Sequence, residues 1–131
     1  MAVQSFRDSI AWQKAMDLST AIYSVTRPFP REEMFGLTSQ LRRASVSIAS
    51  NIAEGQGRLT AGEFMHFLGM ARGSALEVET QLELATRLRM GVELDLKTVQ
   101  VSATELVKNL NSILSNMRER KKRELLETSE N

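Results

Sequence analysis

The segment from Phe35 to Phe67 constrains the fold of this 131-residue chain more than any other. Its first half repeats an apolar residue every three or four positions, which places these side chains on one face of an α-helix. The apolar positions are Leu37, Leu41, Ala44, Ile48 and Ile52. Serines and alanines stand between them, and their small side chains allow a neighbouring helix to approach closely. The segment therefore predicts a helix in tight contact with a second one.

The second half of this segment predicts a corner followed by another helix. Gly55-Gln56-Gly57 can end the first helix because glycine adopts the left-handed backbone conformation easily. Thr60 and Glu63 then have the spacing of a capping box, in which each side chain hydrogen-bonds the amide of the other residue. A plain helical hairpin without any chemistry explains these residues equally well.

The rest of the chain predicts three connections and no strands. Pro28 and Pro30 are the only prolines, and together they end a first helix because the residue before a proline disfavours helical geometry. The long tract behind them contains no proline, which suits long helices. We expect an all-α, antiparallel up-down-up-down four-helix bundle, a single domain over residues 1–131. The predicted helices are residues 9–26, 35–56, 60–90 and 95–124.

Periodicity also predicts which residues face the core and where the helices end. In the first helix these are Trp12, Ala15, Met16, Ser19, Ile22 and Tyr23; in the third, Phe64, Phe67, Leu68, Ala71, Ala75, Val78, Leu82, Ala85 and Leu88; in the fourth, Val99, Ala103, Leu106, Leu110, Ile113, Leu114 and Met117. Asp8 or Ser9 is expected to cap the first helix and Asp95 the fourth. Gly91 is expected to end the third. We expect Phe29 and Phe35 to tuck under the end of the bundle, and residues 128–131 to be frayed.

Three glycines in the interior of the third predicted helix need an explanation. Gly62, Gly69 and Gly73 each cost about 1 kcal/mol relative to alanine in a helix. We expect close contact with the small-residue face of the second helix to offset this cost. Gly69 and Gly73 form a G-x-x-x-G pattern, but the charged surroundings argue against a helix pair in a membrane.

Composition excludes several functional classes. The chain contains no cysteine, so it has no disulfide framework and no thiolate metal site. The net charge of +1 gives no global attraction to nucleic acid, so any such role depends on local clusters. No apolar run is long enough to span a bilayer, and the N-terminus lacks an apolar signal core. We therefore expect a cytoplasmic protein without a membrane partner.

Several short runs resemble the signature of a known family. They are Phe6-Arg7-Asp8, residues 12–15, 35–44 and 50–55, Gly57-Arg58, residues 63–68, and Gly73-Ser74 with Glu77, Glu79, Gln81 and Leu82. Together they resemble the four-helix bundle proteins encoded in intervening sequences of bacterial ribosomal RNA genes. These proteins are distantly similar to the accessory variability determinant of diversity-generating retroelements. The chain departs from the pattern at Phe35, usually tyrosine, and Ala49, often proline.

The resemblance implies a four-helix bundle assembled into a ring-like homopentamer, with no established enzymatic activity. We expect no enzyme and no cofactor. For the retroelement relatives it implies a basic surface that binds nucleic acid and a reverse transcriptase. The expected partners are therefore further copies of the chain, RNA or DNA, and a reverse transcriptase or other protein. The alternative is a protein-interaction scaffold that has no nucleic-acid role.

Basic side chains that could contact phosphates fall in three places. They are Arg42 and Arg43, then Arg58, and finally Arg118, Arg120, Lys121, Lys122 and Arg123. Each place also has a structural explanation. Arg42 or Arg43 could pair with Glu54 or an acid of the third helix, and Arg58 with Glu54 or Glu63. Cations near a helix C-terminus complement its macrodipole, and residues 119–124 contain two possible i,i+4 ion pairs.

The remaining polar residues of the corner predict structure rather than chemistry. Asn51, Glu54, Gly55 and Glu63 are interpreted as a structural signature that holds the second and third helices together. His66, the only histidine, follows Glu63 with the E-x-x-H spacing of di-iron bundles. That site requires the motif on two helices, so we predict neither a metal site nor a catalytic residue.

Overall fold

The computed structural model describes residues 5–130 as a bundle of four α-helices. They are α1, Ile10–Thr26; α2, Leu37–Gln56; α3, Ala61–Arg87; and α4, Glu93–Glu130. Short 3₁₀ helices at Phe6–Asp8 and Arg31–Glu33 precede α1 and α2. Each helix contacts its neighbour in the chain, and α1 also contacts α4. The predicted all-α four-helix bundle is confirmed.

Side chains accept hydrogen bonds from backbone amides at the start of each of the first three helices. The Ser9 hydroxyl accepts a hydrogen bond from the Trp12 amide at 3.2 Å, so Ser9 is the cap of α1. The N-cap of α2 is Gly36, which has no capping side chain, and the Glu33 carboxylate accepts the amide of the first helical residue, Leu37, at 3.0 Å. The Thr60 hydroxyl accepts the Glu63 amide at 3.2 Å, the first of the two bonds that the capping-box pattern predicts.

The core is aliphatic, and α2 contributes the face that periodicity predicts. Its five predicted positions, from Leu37 to Ile52, are all buried. They meet Leu18 and Ile22 of α1, Leu68, Val78 and Leu82 of α3, and Leu96, Leu106 and Leu110 of α4 in one hydrophobic cluster. This contiguous cluster holds the four helices together, because removing apolar surface from water is the main favourable term in folding.

The predicted inner face of α1 is partly wrong. Met16 and Tyr23 are 42% and 44% exposed, whereas Leu18 and Val25, which the prediction omitted, are buried. Ala15, Ser19 and Ile22 are buried as predicted. The core-facing stripe of α1 is therefore rotated by about one residue, since α2 and α4 cover the Ala11–Leu18–Val25 side of the helix. Trp12 and Met16 lie at the edge of the α1–α2 contact.

The turn between α3 and α4 also differs from the prediction. Helix α3 ends at Arg87, three residues earlier than expected, and Leu88 is 55% exposed. Arg89 adopts a φ of 55°, and the Met90 amide donates to the Ala85 carbonyl at 3.0 Å, as in a Schellman turn. Gly91 is the second left-handed residue, with a φ of 69°. Arg89, not Gly91, therefore closes the helix.

The two phenylalanines near the prolines differ in burial. Phe29 is buried and lies against Gly91, where an added Cβ would come within 3.0 Å of its ring. Phe35 is 96% exposed, because α2 begins only at Leu37 and leaves Phe35 in the turn before it. The prediction that both rings cover the end of the bundle is therefore correct for Phe29 and wrong for Phe35.

Helix α4 is the longest element and extends past the core. It begins at Glu93, so Asp95 lies within its first turn and is not its cap. It continues to Glu130, six residues beyond the predicted end, and its 38 residues correspond to about 57 Å. Residues 118–130 are all exposed. The predicted frayed end is helical as far as Glu130, and Asn131 lies outside the described residues.

Candidate nucleic-acid interface

The contact between α2 and α3 fixes the corner from which the candidate interface is built. An added Cβ on Gly55 would lie 3.0 Å from the Cβ of Phe67 and 3.1 Å from the ring of Phe64. Only glycine fits there without movement of α3. The Asn51 side-chain amide donates to the Ser47 carbonyl and hydroxyl, and the hydroxyls of Ser47 and Ser74 are 3.1 Å apart. The Asn51 bonds lie within α2, and the bond between Ser47 and Ser74 connects α2 to α3.

The glycines of α3 do not make the contact that we predicted for them. An added Cβ on Gly62, Gly69 or Gly73 would meet nothing within 4 Å. All three lie on the side of α3 that faces away from the core, with Leu76 and Leu84 exposed on the same side. We call Gly62, Gly69, Gly73, Leu76 and Leu84 the outer face of α3. The close approach of α2 and α3 depends on Gly55 instead.

Arg42 is part of the α1–α2 contact. Its Nε donates to the Thr26 hydroxyl at 2.9 Å, and its guanidinium lies 4.8 Å from the centre of the Tyr23 ring. Thr26 is buried and also donates to the Ile22 carbonyl. The structural explanation of Arg42 is thus favoured, although its partners lie on α1 and are not the acids that we expected.

Arg43 and Arg58 differ in the contacts that they make with the rest of the bundle. Arg43 is exposed, and it makes no hydrogen bond or ion pair to any other residue between 5 and 130. Arg58 lies 3.8 Å from the Glu54 carboxylate and 4.5 Å from the centre of the Phe67 ring. Both members of the Arg58–Glu54 pair are about half exposed, so the pair contributes little stability and leaves the guanidinium accessible.

The basic segment, residues 118–123, is exposed along its whole length. The expected ion pairs Glu119–Arg123 and Arg120–Glu124 are not formed within the described part of the chain. The macrodipole explanation also weakens, because α4 continues to Glu130 and its last turn carries no basic residue. The five cations of this segment therefore form no ion pair with any other residue between 5 and 130.

One end of the bundle gathers part of the predicted set. A cavity of about 190 Å³ separates the start of α3 from α4, with Met65 and Met117 beside Ala61, Gly62, Arg120, Lys121 and Glu124. Arg58 precedes α3 by only a few residues, so it belongs to the same end as the basic segment. We call Arg58 and the cations of residues 118–123 the basic end.

Arg42 and Arg43 do not belong to the basic end. They lie in the first third of α2, about 20 Å along the helix from the corner at Gly57. The eight predicted nucleic-acid contacts therefore form two groups, of which the basic end is the larger and the less engaged in folding.

Sequence reasoning missed an apolar groove between α1 and α2. It is lined by Trp12, Met16, Ser19, Val46, Ala49, Ser50 and Ala53, and encloses about 270 Å³. We call these residues the α1–α2 groove. Periodicity predicts that Trp12 and Met16 face the core, but it does not distinguish a buried position from one at the edge of a helix pair. On the α2 side of the groove, Val46 is an apolar residue that is 44% exposed.

His66 is exposed on α3, where its ring meets that of Phe67 edge to face. Among residues 5–130 no group of three or more histidine, aspartate or glutamate side chains could hold a metal ion. None of the helices in this part of the chain is both long and apolar enough to cross a membrane.

Comparison with known proteins identifies the family to which this four-helix bundle belongs. The family model described as 23S rRNA-intervening sequence protein matches residues 7–123, which include α1 to α3, most of α4 and the basic segment. The chain belongs to this family. No curated protein matches the chain.

A solved structure supports the fold of this family member. It is a protein of unknown function from the S23 ribosomal protein family of Bacteroides thetaiotaomicron, 25% identical to the chain. The match covers 80% of this chain and 98% of the other, with a TM-score of 0.72.

Proposed function

We propose that this intervening-sequence protein is a non-enzymatic, cytoplasmic RNA-binding protein that assembles from several copies, five in the ring that its family resemblance implies. The basic end contacts the phosphate backbone of RNA. The observation that carries the proposal is the basic segment itself, which is exposed and unpaired on a helix that extends past the core. The description of the matched family, which refers to 23S rRNA, favours RNA as the nucleic acid.

The geometry of the basic end suits backbone contacts rather than base recognition. Five cations point to several sides of one exposed helix, because residues spaced by one or two positions are about 100° or 200° apart around a helix. Lysine and arginine contacts of this kind neutralise phosphates and release counterions, so binding falls steeply with salt and depends little on sequence. Several copies in one assembly would add their weak contacts into one stronger interaction.

The outlying arginines have different places in this proposal. Arg43 is exposed and available for a further phosphate contact. Arg42 is assigned to the fold, because its Nε already bonds the Thr26 hydroxyl.

A fluorescence-anisotropy titration tests the RNA contact. The test variant replaces Arg118, Arg120, Lys122 and Arg123 with glutamine. The matched control replaces Arg27, Arg31, Arg87 and Lys97, which are exposed cations of the opposite half of the bundle. Both variants carry the same net charge, so a general charge effect would weaken them equally. Binding to a labelled RNA duplex, an RNA single strand and a DNA duplex is measured at several salt concentrations.

We expect the test variant to lose affinity and to reduce the slope of log affinity against log salt by about one for each lost phosphate contact. The control should keep both the affinity and the slope. Equal weakening of the two variants, or no RNA binding by the unmodified protein at micromolar concentration, would contradict the proposal.

The apolar α1–α2 groove favours a second candidate, a scaffold that binds a protein partner. The reverse transcriptase implied by the distant retroelement resemblance would be a partner of this kind. In that case the glutamine variant of the basic segment would keep its protein partner, while substitutions in the α1–α2 groove would release it.

A further inference from the structure

We propose that the cavity between the start of α3 and α4 takes one unstacked base of a single-stranded RNA. We call this space, bounded by Met65 and Met117 and by Arg120 and Lys121, the α3–α4 cavity. The inference rests on the proposed function, because it requires that the basic end bind RNA. It goes further in naming a single strand as the form of RNA that is preferred and a base, besides phosphates, as the group that is held.

The first observation is that the cavity lies on the core-facing side of α4. Met117, Arg120, Lys121 and Glu124 recur at steps of three and four residues, so they share one face of the helix. Leu114, one turn earlier on this side, is buried in the core. The side of α4 that packs against the bundle therefore becomes basic where the core ends. Two of the five cations of the basic segment line the cavity, and the other three do not.

The second observation is that the cavity has an apolar wall and a small volume. Met65 and Met117 are half-buried and pack against the hydrophobic core. A methionine side chain is flexible and polarisable, and its sulfur makes favourable contacts with aromatic rings. The cavity encloses about 190 Å³, less than the roughly 300–1,000 Å³ typical of sites for drug-sized ligands. A phosphate requires no apolar wall, whereas a single planar base suits both the wall and the volume.

The third observation is the mixture of charges around this wall. Arg120 and Lys121 supply two cations, and Glu124 supplies a carboxylate. None of the three forms an ion pair with another residue between 5 and 130. A carboxylate repels a plain anion such as phosphate, but it accepts hydrogen bonds from N–H groups. Every RNA base has at least one N–H donor on its Watson–Crick edge, so a nucleotide can offer its phosphate to the cations and its base to the carboxylate.

The fourth observation is that the cavity is open to solvent beside Gly62. An added Cβ at Gly62 would meet nothing within 4 Å, and both Ala61 and Gly62 are exposed. A base can therefore enter next to the backbone of α3 without displacing a side chain there. The bases of a duplex are stacked and paired, so only a single strand or a loop presents a base that can enter.

A variant that fills the cavity tests the proposal. Gly62→Leu adds an apolar side chain at the opening, removes no cation and meets no neighbour that would oppose folding. Gly69→Leu is the matched control, since Gly69 lies on the same helix, is equally open and does not line the cavity. Circular dichroism checks that both variants are folded. Fluorescence anisotropy then measures the binding of each protein to an RNA single strand, an RNA duplex and an acidic peptide.

We expect Gly62→Leu to weaken binding of the single strand about fivefold or more, which is the lower limit of what stacking of one base contributes. Duplex binding should not change, and Gly69→Leu should bind both RNAs as the unmodified protein does. An unchanged affinity for the single strand, or an equal loss for both RNAs, would overturn the proposal. If Gly62→Leu instead loses only the peptide, the cavity takes a protein partner and the proposal is wrong.

A strand without bases distinguishes a base contact from phosphate contacts. A single strand whose central nucleotides are abasic keeps every phosphate of the intact strand. We expect the unmodified protein to bind the intact strand about fivefold or more tightly at the same salt concentration. The slope of log affinity against log salt should be the same for both strands, because their phosphate contacts are the same. Equal affinity for the two strands would contradict a base contact.

The outcomes also separate this inference from the proposed function. Suppose that intact and abasic strands bind equally, and that the glutamine variant of the basic segment loses both. The base contact is then wrong, and the RNA role stands. An unmodified protein that binds no RNA would overturn the RNA role together with the base contact that rests on it.

Discussion

The inner and outer sides of α3 differ in how closely other helices pack against them. On the inner side, Leu68, Val78 and Leu82 are almost completely buried, and α2 approaches so closely that Gly55 alone fits beside Phe64 and Phe67. On the outer side, Gly69 and Gly73 face open space. The same residue type therefore satisfies packing in one place and lowers helix stability without compensation in the other. Small residues in a helix indicate a close contact, but not with which partner.

The largest effect is expected on the inner side. Leu82 is fully buried in the cluster shared by all four helices. Leu82→Ala should lower the free energy of unfolding by about 2–5 kcal/mol, because it removes apolar contacts and leaves a cavity. Urea denaturation followed by circular dichroism measures this change. A loss well below 1 kcal/mol would mean that α3 is not packed as described.

A smaller loss is expected where the two helices are closest. Gly55→Gln places a long side chain where a Cβ alone would come within 3.0 Å of Phe67. Overpacking of this kind should lower the free energy of unfolding by about 1–3 kcal/mol. The same denaturation experiment applies, and an unchanged midpoint would show that α2 and α3 can separate without cost.

The matched substitution on the outer side should have the opposite sign. Gly73→Gln meets no neighbour and replaces glycine with a better helix former, so it should raise the free energy of unfolding of the monomer by about 1 kcal/mol. Unfolding is measured at a concentration at which assemblies have dissociated. A destabilised monomer would indicate that part of the chain already occupies this space.

The smallest effect is expected at an exposed leucine of the outer face. Leu84→Gln changes a side chain that is 46% exposed and away from the core. The free energy of unfolding of the monomer should change by no more than about 0.5 kcal/mol, as for most surface substitutions. A loss comparable to that of Leu82→Ala would remove the distinction between the two sides of α3.

Much of the fold could be predicted because the relevant signals are local. Apolar residues recur every three or four positions in α2 and α4, and the buried residues are largely the predicted ones. Ser9 and Thr60 cap their helices through bonds that span only three residues. The errors arose where exposure depends on a neighbour. Met16, Tyr23 and Leu88 fit an apolar stripe, yet the adjacent helices leave about half of each side chain exposed.

The candidate site could likewise be predicted only in part from local signals. The basic residues were recognisable in the sequence, but the contacts that each makes with the rest of the bundle were not. Arg42 turned out to bond Thr26, sixteen positions away in the chain, and no local pattern encodes that contact. The macrodipole alternative for the basic segment is weakened, because α4 continues to Glu130, and no ion pair within residues 5–130 engages these cations.

By itself, the sequence determined the all-α class, the two prolines that separate α1 from α2, and the residues of the α2 core face. These follow from hydrophobic periodicity and backbone preferences, which act within a few residues. The tertiary structure alone decided which glycine is enclosed, which arginine is engaged and which apolar side chains remain in water. Those outcomes depend on distances between residues far apart in the chain, and only the packing of the four helices sets them.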